Sequence, residues 1–78
     1  MIRLTDFQTR MLIRIQNGYR HDVSIAQAMS RNTRVGHVQN ARGILYRAGL
    51  ITVSLAGYCD LTPAGREALS KATKGGVR

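Results

Sequence analysis

The chain is predicted to be a mainly helical domain closed by a small β-hairpin. Three features carry that prediction: apolar residues recurring every three or four positions, a switch to alternation after Gly49, and helix-start signals at Thr5, Ser24 and Thr62. At 78 residues there is room for one domain and no second lobe, and 44% hydrophobic residues suffice for one core. The domain is expected over 1–72, with a flexible basic tail at 73–78.

Thr5-Asp6-Phe7-Gln8 has the form of a capping box, so a first helix is expected from about Asp6 to Asn17. Phe7, Met11, Leu12 and Ile15 form its apolar stripe, and Asp6, Arg10 and Arg14 a charge row at four-residue spacing. Asn17-Gly18 ends it, with Gly18 free to turn left-handed. Tyr19 to Val23 reads as a polar connection. Ser24-Ile25-Ala26-Gln27 repeats the capping logic for a short second helix ending near Ser30, with Ile25, Ala26 and Met29 inward. Ser30 to Thr33 is then a turn, with Thr33 as cap for the next helix.

A third helix is expected from about Arg34 to Ala48, ended by Gly49, with Val38, Ala41, Leu45 and Ala48 on its core face. Gly36, Gln39, Asn40, Gly43 and Arg47 lie roughly opposite. Each helical glycine sacrifices about 1 kcal/mol relative to alanine. Two accounts of them stand: close approach by a partner, or a tolerant first turn at Gly36 and a local helix crossing at Gly43.

From Ile51 the period becomes two. A three-residue loop, Leu55-Ala56-Gly57, pairs Ser54 with Tyr58, Val53 with Cys59 and Ile51 with Leu61, and places Gly57 where such a loop needs a left-handed residue. Thr62 as cap and Pro63 at the first helical position then open a last helix over Ala64 to Ala72, packed through Ala68 and Leu69.

Twelve Lys or Arg against four Asp or Glu give a net charge of +8, and no acid occurs from Val23 to Cys59. Arg31, Arg34, Arg42 and Arg47 all fall in that stretch, creating a field that attracts polyanions. A compositional or solubility origin for the arginines is the competing account. No apolar run spans a bilayer, and the start MIRLTDFQ has no signal-peptide core, so a cytoplasmic location without membrane partners is expected, nucleoid-associated when bound to DNA.

Helix, short helix, turn, longer helix and hairpin is the element order of a helix-turn-helix with a β-wing, and here the residues resemble a family. Val23 to Met29 is similar to the second-helix opening, and Ile44 to Ile51 to the recognition-helix exit, of winged-helix regulators of the MarR and PadR type. Asp60-Leu61-Thr62-Pro63-Ala64-Gly65-Arg66-Glu67-Ala68-Leu69 resembles their wing strand and following helix, and the likeness covers about residues 4 to 70. It implies a winged helix-turn-helix that binds double-stranded DNA as a transcriptional regulator, with Gly36, His37, Gln39 and Asn40 facing bases and Arg20, Arg31, Thr33, Arg34, Arg42 and Arg47 on phosphates. Amides pair with adenine and arginine with guanine, while phosphate contacts supply most of the affinity. The wing departs from the family by carrying no Lys or Arg at Leu55-Ala56-Gly57.

That departure keeps a second class open: an interaction adaptor, such as a small viral or plasmid protein inhibiting a host factor, that presents Leu55 and Tyr58. A homodimer would have to use the first or fourth helix. RNA binding ranks third, because four aromatic residues form no stacking platform. Catalysis ranks last, with isolated carboxylates, one cysteine and no phosphate-binding glycine loop, and no cofactor or metal is expected.

Overall fold

A computed structural model describes residues 4–29 and 32–76, with backbone alone for 73–76. Four helices and one two-stranded antiparallel sheet follow in the order α1 (Asp6–Gln16), α2 (Asp22–Met29), α3 (Val35–Arg47), β1 (Ile51–Val53), β2 (Cys59–Leu61) and α4 (Pro63–Gly76). Among the described residues no helix is long and apolar enough to cross a membrane.

Local chemistry sets the first helix. Thr5 Oγ1 accepts the Gln8 N–H at 3.1 Å while Gln8 Oε1 accepts the Thr5 N–H at 3.0 Å, closing the capping box at both ends. Gly18 turns the chain at φ 108° directly after the Asn17 cap. Arg14 leaves the expected charge row: its Nε donates to the Ala28 carbonyl at 3.1 Å, placing a cation on the last turn of α2. Asp6 and Arg10 do pair, at 2.8 Å.

Two helix starts differ from expectation. α2 opens at Asp22 rather than under a Ser24 cap, because the Ile25 N–H already bonds the His21 carbonyl at 2.8 Å and the Asp22 carboxylate takes the Val23 N–H at 2.8 Å. An acid in the first turn also complements the helix dipole. α3 has Arg34, not Thr33, at its cap position, in an extended conformation with no side-chain cap. Ala48 is exposed rather than on the core face, since it lies past the last full turn.

The hairpin has the expected register, Ile51 opposite Leu61, Thr52 opposite Asp60 and Val53 opposite Cys59. Ser54 donates to the Tyr58 carbonyl and Gly57 to the Ser54 carbonyl, both at 2.9 Å, with Gly57 at φ 89°. That positive φ is the reason a glycine closes the loop. Thr62 caps α4 by accepting the Gly65 N–H at 3.0 Å. The helix then continues through 73–76, into the segment expected as a flexible tail, because Ala72 to Lys74 are tolerated helix residues, and it includes Gly75 and Gly76 although each glycine costs about 1 kcal/mol relative to alanine. Val77 and Arg78 lie outside the described residues.

The core gathers Met11, Leu12 and Ile15 of α1, Ile25 and Ala26 of α2, Val38, Ala41 and Leu45 of α3, then Leu50, Ile51, Cys59 and Leu69. Phe7, Met29, Val53, Leu61 and Ala68 flank it, half-buried. Every helix and both strands thus lend one face to a single core, and α3 is held along one side only.

Candidate nucleic-acid interface

α3 buries Val38, Ala41 and Leu45, which the 3.6-residue period gathers on one side, so Gly36, Asn40, Gly43 and Arg47 line the opposite side. Asn40 and Arg47 are exposed. A Cβ placed at Gly36 or Gly43 would meet no atom within 4 Å, so neither glycine serves contact inside the molecule. The helix crossing expected as one account of Gly43 is absent from the described residues. His37 and Asn40 instead border a shallow groove shared with Thr5, Phe7, Gln8, Ala41 and Ile44.

The positive surplus is distributed by pairing. Each of the four carboxylates holds a cation: Asp6 with Arg10, Asp60 with Arg20 at 2.6 Å, Asp22 with Arg42 at 3.6 Å, and Glu67 with Lys71 at 3.7 Å. Arg34 and Arg47 are exposed and carry no ion pair among the described residues, one at each end of α3. At 1.5 Å rise per residue they stand about 20 Å apart along the axis. Because α3 has no acid in its first turn and no side-chain cap, Arg34 adds to the positive end of the helix dipole.

Asp22 is the polar centre of this region and had no assigned role in the sequence. Only 7% exposed, it accepts from Gln39 Nε2 at 2.9 Å and lies 2.9 Å from His21 Nδ1 and 3.6 Å from Arg42. The Gln39 hydrogen bond is the main cause holding its carboxyl below the ordinary aspartate value of 3.8, against burial, with Val23, His21 and Arg42 adding to the lowering. One signal was legible: a lone acid at the edge of an acid-free stretch needs local cations or amides.

The expected contact residues therefore fall into groups. Gly36, His37, Asn40, Arg34 and Arg47 share the exposed side and ends of α3, whereas Gln39 and the half-buried Arg42 are drawn to the α2 edge by Asp22. Arg20 sits before α2, paired to Asp60 on the hairpin in a solvent-exposed bridge that water and salt weaken. Thr33 is half-buried before α3, and Arg31 lies outside the described residues. At the hairpin Leu55 is fully exposed and Tyr58 half-exposed, its ring edge-on to His21 with centroids 5.6 Å apart.

Other chemistry is sparse. Among the described residues no three His, Cys, Asp or Glu side chains gather to hold a metal. Cys59 is fully buried, and burial pushes its thiol up, so it behaves as a small apolar residue. No family model, curated protein or solved structure matches this chain.

Proposed function

We propose that the chain is a winged helix-turn-helix of the MarR or PadR type that binds double-stranded DNA sequence-selectively as a small transcriptional regulator, without catalysis. The observation that carries the reading is the outward side of α3: Asn40 flanked by two glycines with nothing against them, and at each end an exposed arginine with no ion pair among the described residues. A helix of this kind enters a major groove about 12 Å wide, where Asn40 pairs with an adenine edge and the bare backbone at Gly36 and Gly43 lets the axis approach closely. Arg34 and Arg47 then reach phosphates along the groove, with Arg20 and Arg31 as further backbone contacts.

Selection of bound fragments from a random duplex pool, followed by a salt titration on the recovered site, tests this. Four phosphate contacts give a log–log slope of about −3.5. Asn40→Ala is expected to lower the preference for the recovered site about tenfold while leaving nonspecific affinity within twofold, the loss of one good base pair contact. A recovered motif with two-fold symmetry would indicate a homodimer, built through α1 or α4. A salt-independent affinity refutes the reading.

A second reading rests on the hairpin. Leu55 is fully exposed beside Tyr58 on a loop without Lys or Arg, which suits an adaptor that docks an apolar partner surface better than a wing that follows a phosphate backbone. Leu55→Asp separates the two readings: unchanged duplex affinity and sequence preference leave the hairpin available for such a partner, whereas a loss of duplex affinity assigns it to DNA.

A further inference from the structure

The buried carboxylate of Asp22 has a consequence for which parts of α3 are available to a ligand. It receives Gln39 Nε2 at 2.9 Å and faces Arg42 Nη1 at 3.6 Å, one helical turn further along the same edge of α3. His21 Nδ1 at 2.9 Å and the Val23 N–H at 2.8 Å hold the other side of the same oxygen pair. The carboxylate is thus anchored to α2 and cannot follow its α3 partners outward. Arg20, paired to exposed Asp60, has no such restraint and exchanges its partner readily.

Resting on the duplex-binding reading above, we infer that Asp22 is a positioning residue that withholds Arg42 and Gln39 from DNA, so that only the Arg34, Asn40 and Arg47 side of α3 makes contact. An internal acid standing where a phosphate would otherwise be recruited removes one sequence-independent contact. Affinity for correct and random sites therefore falls together, and the salt slope is shallower by one contact. Asp22 contacts no nucleic acid itself. It acts through the two side chains it holds.

The salt slope reads this directly, because each additional phosphate contact steepens it by about 0.9 whereas a loss of fold does not. Asp22→Asn keeps an acceptor for Gln39 and removes the charge that retains Arg42. Its slope is expected to steepen by about 0.9 and its affinity for random and recovered duplexes alike to rise severalfold, with the preference for the recovered site unchanged. Adding Arg42→Ala to Asp22→Asn should return the slope to that of the wild type. Glu67→Gln removes the same charge on α4 and should leave the slope unchanged; an equal steepening there overturns the inference. Arg42→Ala alone keeps the Asp22 carboxylate and is expected to change nothing in the slope, so a slope shallower by about 0.9 also overturns the inference. A wild type whose duplex affinity ignores salt overturns the DNA reading itself, whereas a salt-dependent wild type with an unresponsive Asp22→Asn overturns only the role of Asp22.

Discussion

Gly65 sets how closely α4 can lie on Leu50, just ahead of β1, and replacing it by alanine should be the most damaging one-carbon change in the domain. An added Cβ would stand 1.9 Å from the Leu50 carbonyl oxygen and 2.9 Å from its carbon, where separations under 3.0 Å are essentially never seen. The obstructing atoms are backbone, so no rotamer relieves the clash and α4 must retreat by about 1 Å, from 1.9 towards 3.0 Å. That retreat opens a clasp: the Thr62 N–H to the Leu50 carbonyl at 3.0 Å and the Thr62 hydroxyl to the Gly49 carbonyl at 2.7 Å. It also withdraws Leu69, 3% exposed, from the core. Overpacking costs about 1–3 kcal/mol and each of the two weakened hydrogen bonds about 1 kcal/mol, while alanine returns about 1 kcal/mol of helix propensity, so the net loss is about 2–4 kcal/mol. In a domain of this size that lowers Tm by about 10–30 °C, read by far-ultraviolet circular dichroism on heating. A Gly65→Ala protein melting within about 2 °C of the wild type refutes the close packing of α4 on Leu50.

Gly43→Ala is the matched contrast: nothing lies within 4 Å of its new Cβ, so the helix should gain about 1 kcal/mol and melt several degrees higher, and a lower Tm in the same measurement contradicts the open space there. Stability should also depend on the ionisation of Asp22, whose folded-state pKa lies below its unfolded value of 3.8. A depressed acid contributes stability above its unfolded pKa and loses it as pH falls through the folded one, so urea midpoints of wild type and Asp22→Asn should differ at pH 6 and draw together only as pH falls from 3.8 through the lower folded-state value. A constant difference across that window would show that the charge on Asp22 adds nothing. Cys59, buried with its thiol pushed up, should resist alkylation in the native protein at pH 8 and react within minutes in denaturant, as followed by mass spectrometry; rapid native labelling contradicts its burial.

The readings that came through from sequence were those whose causes lie within a few residues. The Thr5/Gln8 capping box, the left-handed Gly18 and Gly57, the Thr62 cap and the hairpin register all depend on contacts three to ten positions apart, and each side chain involved has only a local choice to make. Where two local signals competed, sequence selected the wrong one. Ser24 has good capping chemistry, but Asp22 two positions earlier offers a charged acceptor and begins the helix first. Thr33 likewise yields the cap position to Arg34, whose extended backbone rather than its side chain admits the helix.

What the sequence by itself determined is the list of elements, their order, the hairpin pairing and the apolar faces that form the core, since periodicity and capping are properties of neighbouring residues. Only the tertiary structure decided which cations and amides are engaged internally. Asp22 meets Gln39 across 17 positions, Arg14 reaches Ala28 across 14, and Gly65 rests on Leu50. Burial of a carboxylate arises only when α2 and α3 pack together, and a buried charge must then recruit whatever donors the packing brings within reach. That physical demand, rather than any residue's intrinsic chemistry, divides α3 into an edge held by Asp22 and an outward side with Asn40, Arg34 and Arg47.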